Sequence, residues 1–310
     1  MSKKATVIVI AISCIPLLTV AGTNEVGEQE FQVGSGGELI LDHRAGGSVE
    51  ITGTGGSTVS VSYEMKCTPG CTIEFEDDGD RLKIMTRFTK PTRSQNSEVE
   101  LQIEVPRRFD VKLDSSGGGL SMDGVEGTFT GKTMGGEIDL HDVRGEAKLT
   151  TMGGTIEVDE AHEGADVHTM GGNIEIGDAD RFVRAKTMGG DIHIDSIDGW
   201  VEATTMGGDV DVTVTGSGGD VKLVSMSGDI TLHVPSGFSM ELDLEIAYTR
   251  NSQQDYKIET PYDLLHSVTD DWDRGSGTAR KYIRAKGSTG GANSVRIETV
   301  NGNVTVVEGR

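Results

Sequence analysis

Apolar and polar residues alternate in short runs through the middle of the chain. Ile138 and Leu140 flank Asp139, and the arrangement recurs at Ile156 and Val158, Ile174 and Ile176, Ile192 and Ile194, and Val210 and Val212. A period of two marks a strand with one buried face. A second strand with smaller apolar residues follows each first one, half a repeat later. Gly136-Glu137-Ile138-Asp139-Leu140 is answered by Gly145-Glu146-Ala147-Lys148-Leu149, and Ile174 and Ile176 by Val183 and Ala185.

These pairs of strands belong to an internal repeat. Thr-Met-Gly-Gly begins at Thr133, Thr151, Thr169, Thr187 and Thr205, a constant 18-residue interval. A related Ser225-Met226-Ser227-Gly228 follows at a slightly longer interval, and Ser115-Ser116-Gly117-Gly118 precedes Thr133 at the regular one. Two strands and two turns per repeat make a flattened coil. Equivalent positions then stack about 4.8 Å apart in parallel register. The predicted fold is all-β: a parallel β-solenoid or β-helix with 18-residue two-strand coils, capped by irregular β segments. Ile174 is expected inside, between Ile156 and Ile192, and Glu175 outside. Two other architectures fail. A three-sided hexapeptide helix would need apolar residues where Arg144 and Asp180 stand, and a calcium-binding β-roll would need glycine at Ile138, Ile156 and Ile174.

The predicted organisation has four parts. Residues 1–22 form a signal peptide. Residues 23–114 form an N-terminal β region that starts the solenoid, residues 115–248 the regular coils, and residues 249–310 an aperiodic insert with closing strands. Forty-four glycines against six prolines fit many strands joined by tight turns. The N-terminal segment and the insert are read as partial caps over strand edges that would otherwise invite aggregation.

The signal reading rests on Lys3 and Lys4, the apolar run Ala5 to Leu18, and small residues at Ala21 and Gly22. The run is short for a membrane span, and Cys14 lies in a poor lipidation context; a retained anchor and a lipidated Cys14 are the alternatives. The chain is therefore expected to be periplasmic, surface-located or secreted, with no stable membrane insertion once the signal is removed. Formal net charge is −22. That charge repels phosphate backbones, so nucleic acid is not an expected partner. Cys67 and Cys71 flank Thr68-Pro69-Gly70 and, in an exported chain, read as a disulfide closing a hairpin turn.

Candidate chemistry is sparse. The methionines at 134, 152, 170, 188, 206 and 226 are expected to fill irregular space at coil corners, with soft Cu(I) binding as the alternative. The outward slot of Asp139, Glu157, Glu175, His193 and Asp211, with its neighbour Glu137, Thr155, Asn173, Asp191 and Asp209, reads as a solvated strand face, with Ca²⁺ bound by its acidic members as the alternative. No Gly-x-Ser-x-Gly elbow, phosphate loop or His-Glu-x-x-His helix occurs. Neither an enzyme nor a cofactor is expected. Tyr248, Tyr256, Tyr262, Trp272 and Tyr282 concentrate in and beside the insert and are the candidate interaction patch.

The repeats, the lead-in Val105-Pro106 with Phe109, the N-terminal Gly47-Ser48-Val49-Glu50-Ile51 and the closing Thr299-Val300-Asn301-Gly302-Asn303-Val304 together resemble the bacterial putative-adhesin family, over roughly residues 30–310. The resemblance implies an exported β-strand-repeat protein with no catalytic residues to carry over. The function expected is a non-enzymatic interaction or adhesion scaffold in the cell envelope, with a protein or glycan as partner. A glycan-binding or glycan-acting β-helix protein and a periplasmic partner in envelope-stress signalling are the alternatives.

Overall fold

The computed structural model describes residues 10–11, 17–34, 36–90, 97–216, 218–252, 255–274, 278–291 and 293–309. The chain is all-β, with no helix among these residues. It forms two compact units, residues 1–160 and 161–310. Most of the expected signal, with Cys14, lies outside the described residues. Its last residues, from Leu18 to Gly22, begin a long strand.

In chain order unit 1 contains β1 (Ile10–Ala11), β2 (Leu18–Gln32), β3 (Gly37–His43), β4 (Val49–Thr54), β5 (Thr58–Asp77), β6 (Arg81–Phe88) and β7 (Glu98–Pro106). Then come β8 (Phe109–Ser115), β9 (Leu120–Asp123), β10 (Phe129–Thr133), β11 (Ile138–His141), β12 (Ala147–Thr150) and β13 (Ile156–Ala161). From β8 onward the strands stack in parallel at the repeat interval. Phe129 pairs with Val111 and Ala147, and Ile138 with Leu120 and Ile156. Before β8 the chain order breaks. β3 lies between β6 and β8, and β4 between β7 and β9, all in parallel. The coil of β6 and β7 is therefore outermost, although β3 and β4 precede it in sequence.

Strand β5 covers the exposed edge of that outermost coil. Its first half pairs antiparallel with β7 and its second half with β6, and β2 pairs antiparallel along β5. Edges left bare would recruit other chains. The disulfide Cys67–Cys71 sits where β5 changes partner, with Cα atoms 5.7 Å apart. Lys66 is the last residue on β7 and Cys71 the first on β6, so the bridge ties the crossing together. Both cysteines are buried.

Unit 2 contains β14 (Ala165–His168), β15 (Ile174–Lys186), β16 (Ile192–Thr205), β17 (Val210–Val214), β18 (Val221–Ser225), β19 (Ile230–Val234) and β20 (Met240–Thr249). It closes with β21 (Ile258–Glu259), β22 (Leu265–Val268), β23 (Arg280–Ser288), β24 (Asn293–Val300) and β25 (Val304–Glu308). Ile174 pairs with Ile192 and Val183 with Val201, in each case one repeat further along the chain. Ile174 and Ile192 are buried whereas Glu175 is exposed. This unit also breaks chain order. β24 lies between β18 and β20, and β25 pairs with β19 and β21. β23 runs antiparallel along β20, and β22 along β23.

Each residue of Thr-Met-Gly-Gly has its own task at the turn. The threonine is buried, and its hydroxyl donates to a carbonyl of the preceding coil: Thr187 to Gly172 at 2.9 Å, Thr205 to Gly190 at 2.8 Å, Ser225 to Gly208 at 2.9 Å. The second glycine permits close approach of coils, because a Cβ on Gly190 would strike the Gly172 carbonyl, and one on Gly208 the Gly190 carbonyl. The first glycine is looser: a Cβ on Gly189 would lie 3.6 Å from the nearest atom. The methionine is not packed at the corner. The six turn methionines are 44–57% exposed, which corrects the corner-filling expectation. Threonine already fills the inner corner, and its tie to the backbone leaves the next side chain pointing to solvent.

Candidate functional site

Two strands of unit 2 bring aromatic rings to the surface. Phe182 on β15 and Trp200 on β16 are one repeat apart and paired in register. Their rings stack with centroids 5.2 Å apart and planes at 14°. The slot that holds them is bounded by glycine on one side, where a Cβ on Gly164 would strike the Phe182 ring. On the other side Val201 donates its N–H to the Asp220 carbonyl, and Val221 pairs with Val201. Asp220 thus follows Trp200 in the slot, and the ring stack stops there. The coil from Thr205 to Ser225 is longer than those before it, and its extra length falls in the turn between β17 and β18. Beside that turn opens a cleft of about 610 Å³ lined by Arg181, Trp200, Glu202, Gly219, Asp220 and Lys222.

The charges around Trp200 are arranged as a network. The Glu202 carboxylate accepts from Lys222 Nζ at 3.1 Å and Arg184 Nε at 3.4 Å, with Lys186 Nζ at 3.8 Å. Lys222, then the neighbouring cations, hold the Glu202 carboxyl below its usual range. The Arg184 guanidinium lies 5.3 Å from the Trp200 ring centroid, within cation–π range. Trp200 is 36% exposed. A chain of net charge −22 here places basic groups beside an accessible ring. An aromatic face supplies apolar contact, and the fixed charged groups around it supply directional hydrogen bonds.

The residues anticipated as an interaction patch divide. Tyr248, Tyr256 and Trp272 come together, with ring centroids 6.2 Å and 5.9 Å from Tyr248. Tyr248 is buried, and the cations of Arg250 and Lys281 lie 5.2 and 5.4 Å from the Trp272 centroid. Tyr282 lies under Arg284, whose guanidinium is 4.8 Å from its centroid. Tyr262 is half-buried, and burial raises its phenol above the usual range. Tyr248, Tyr256 and Trp272 thus form one cluster, with Tyr248 buried and the other two rings half-buried. Phe182 and Trp200 were missed in the sequence, although their 18-residue separation was the signal that could have found them.

The acidic slots also do more than face water. Asn173 Oδ1 accepts the Asp191 N–H at 3.0 Å, Asp191 the Asp209 N–H at 2.8 Å, and Asp209 the Asp229 N–H at 2.7 Å. Each side chain ties its coil to the next. Elsewhere the 18-residue spacing pairs opposite partners, as in His141 with Asp159 at 2.7 Å and His162 with Asp180 at 3.0 Å. Hydrogen bonding to Asp159 raises the His141 imidazole above its ordinary value. Unit 1 carries a groove of about 880 Å³ with Glu28, Glu50, Glu64, Glu100, Glu137 and Asp139 in its lining. Lys66 partly offsets it through Glu100 and Glu64, at 3.2 and 3.3 Å. Burial, and then Glu137, raise the Asp139 carboxyl. Among the described residues no three His, Cys, Asp or Glu side chains are grouped to hold a metal ion.

Residues 38–307 match the model of a family described as Toastrack DUF4097. The chain belongs to that family. The Toastrack match spans both units, including the out-of-order coils and the Trp200 cleft. Among solved structures, this chain is similar to a putative adhesin from Bacteroides fragilis, at 12% identity over 92% of this chain and 97% of that one, with a TM-score of 0.36. It is similar also to a putative cell adhesion protein from Clostridium sporogenes, at 12% identity over 92% and 100% of the two chains, with a TM-score of 0.22. A third, named a putative lipid binding protein, comes from Parabacteroides distasonis, at 11% identity over 92% and 97%, with a TM-score of 0.28. No curated protein matches this Toastrack chain.

Proposed function

We propose that this chain is an exported, non-enzymatic interaction scaffold of the adhesin type, and that its partner docks in the Trp200 cleft of unit 2. The scaffold is a parallel β-solenoid with an 18-residue two-strand coil, a reading supported by the register within each unit. A rigid ladder of this kind places side chains from successive coils at fixed spacing, which suits recognition of an extended partner. The observation that carries the proposal is the Phe182–Trp200 stack beside a cleft whose charged groups are held by one another. Pre-ordered groups lose little freedom on binding. The reading of export is supported by the N-terminal apolar run and by the Cys67–Cys71 disulfide, a bond that persists in oxidising compartments.

A second reading gives the partner a chemistry. An exposed indole beside Glu202, Lys222 and Asp220 suits a sugar ring, whose apolar face stacks while its hydroxyls meet charged acceptors and donors. The experiment applies labelled mature protein to a glycan array and to immobilised cell-envelope extract. Trp200→Ala should lower binding at least tenfold, whereas Tyr256→Ala, in the packed cluster, should leave it within twofold. Equal binding by Trp200→Ala and wild type would remove the cleft as the docking site. Binding to the extract without any array signal would remove the sugar and leave a protein partner.

A further inference from the structure

Each unit has a row of half-exposed methionines on its surface. Met170, Met188, Met206 and Met226 form the row in unit 2, and Met134 and Met152 the row in unit 1. All six occupy the same position of the turn. They are 44–57% exposed, whereas Met65, Met85, Met122 and Met240 are at most 7% exposed. The chain therefore uses methionine in two ways, as core filler and as a repeated surface group. Half of the exposed large hydrophobic residues among the described positions are these six. An exposed apolar side chain has no solvation advantage over a polar one. Where the turn recurs outside the rows, a different residue stands in the place: Ser116 in unit 1 and Val300 in unit 2.

What the six share beyond apolarity is a thioether sulfur on a flexible, unbranched stem. The turns that carry them are fixed. Thr187, Thr205 and Ser225 are each tied to the preceding coil, and Gly190 and Gly208 hold the coils in close approach. Equivalent atoms of adjacent coils repeat at about 4.8 Å. A metal–sulfur bond of about 2.3 Å, as found for zinc, gives an S–metal–S span of about 4.6 Å when two sulfurs bind one ion from opposite sides. The ladder spacing and the span agree. Soft thioether ligands select Cu(I) over hard cations, and the acidic chain attracts cations in general. Binding is lone-pair donation from sulfur to an ion already in the cuprous state, with no change of oxidation state.

We propose that these exposed methionine rows bind a soft monovalent metal ion, Cu(I), each ion held between sulfurs of successive coils. The inference is independent of the Trp200 cleft. Two measurements test it. In the first, anaerobic mature protein competes with bicinchoninate for Cu(I) under a reductant. Wild type should remove at least one Cu(I) per chain. The variant carrying Met134→Leu, Met152→Leu, Met170→Leu, Met188→Leu, Met206→Leu and Met226→Leu should lose at least tenfold in competition at an unchanged circular-dichroism spectrum. The second measurement needs no variant. With ¹³C-methyl methionine and Ag(I) as the redox-inert probe, the six exposed methyl resonances should shift while those of Met65, Met85, Met122 and Met240 stay in place. Unchanged uptake by the six-leucine variant, or an absence of methyl shifts in folded wild type, overturns the proposal and leaves the rows as apolar stripes.

Discussion

The periodic coils and the out-of-order coils solve the same packing problem with different information. In the periodic coils residue i shares a slot with residue i + 18, so Ile174 meets Ile192 and Phe182 meets Trp200. A side chain's surroundings follow from arithmetic. In the out-of-order coils the partner lies far away along the chain: His43 faces Thr86 and Ser115, and Val295 faces Val221 and Leu242. Nothing local in the sequence connects those positions. The two unit ends nevertheless follow one rule, since each inserts a coil out of chain order and lays an antiparallel strand along an outer edge, β5 in unit 1 and β23 in unit 2. Regular repeats thus encode a slot by constant spacing, whereas the coils that end them pair residues at no constant interval.

The sharpest break of this comparison lies inside a periodic coil. Ile174 is buried against Ile192, and Glu175 beside it is exposed. Ile174→Asp places an unpaired carboxylate in the core and should cost more than about 4 kcal/mol. Glu175→Ala should change stability by no more than about 0.5 kcal/mol. Urea titration of both variants measures the difference. Equal midpoints would mean that the alternation does not assign the faces.

The alternation, the 18-residue register, the inward isoleucines and the disulfide partners were legible because each depends on spacing within one coil or one turn. The insertion of β3 and β4 between later coils was not, because parallel pairing of Leu39 with Leu82 and Val111 leaves no periodic trace. The surroundings of the aromatic insert were not legible for another reason. Composition drew attention to Tyr248 and Trp272, but whether a ring is open or covered depends on Arg250 and Lys281, which only the folded chain brings over it. Trp200 stands alone in composition and gains a stacked neighbour through its register with Phe182. The methionines were periodic enough to notice. Their outward direction depends on the threonine tie, a contact between coils.

A second break lies in an out-of-order coil and is read through pH. His43 is fully buried in the slot that Thr86 and Ser115 share, with Nδ1 2.8 Å from the Thr86 hydroxyl. Burial lowers its imidazole to about 4, against opposing contributions from the carbonyls of Gly46, Gly47 and Val99 and from Asp42. The folded chain therefore keeps His43 neutral through a range in which the unfolded chain, with a histidine near 6.5, takes up a proton. The stabilisation is intact above pH 6.5 and is lost as pH falls towards 4, by about 3 kcal/mol at about 1.4 kcal/mol per unit. His43→Thr puts into the slot the residue type that its neighbours use. It should flatten the slope of stability against pH between 6.5 and 4, whatever it does to stability at pH 7. An unchanged slope would show that other groups govern acid unfolding.

The smallest expected effect tests whether acidic slots in the periodic coils hold coils together or only face water. Asp209 Oδ1 accepts the Asp229 N–H at 2.7 Å, while the Asp209 N–H donates to Asp191 Oδ1 at 2.8 Å. Asp209→Ala removes the first bond and leaves the second. The Asp229 N–H then turns to water at this exposed position, so the loss should sit at the low end for one hydrogen bond to a charged group, about 1.5 kcal/mol. Asp209→Asn retains an acceptor oxygen, as Asn173 does for Asp191 at 3.0 Å, and should recover most of that loss. It also removes one of three like charges carried by Asp191, Asp209 and Asp229 in one slot, and like charges opposite each other in a sheet are destabilising. If the charge repulsion dominated, both variants would stabilise the chain, and the slot would be a solvated face that resists neighbouring sheets. If the hydrogen bond dominates, alanine destabilises and asparagine does not. Thermal melts of the three proteins at one pH and ionic strength separate the two cases, and the short N–H to carboxylate distance favours the second.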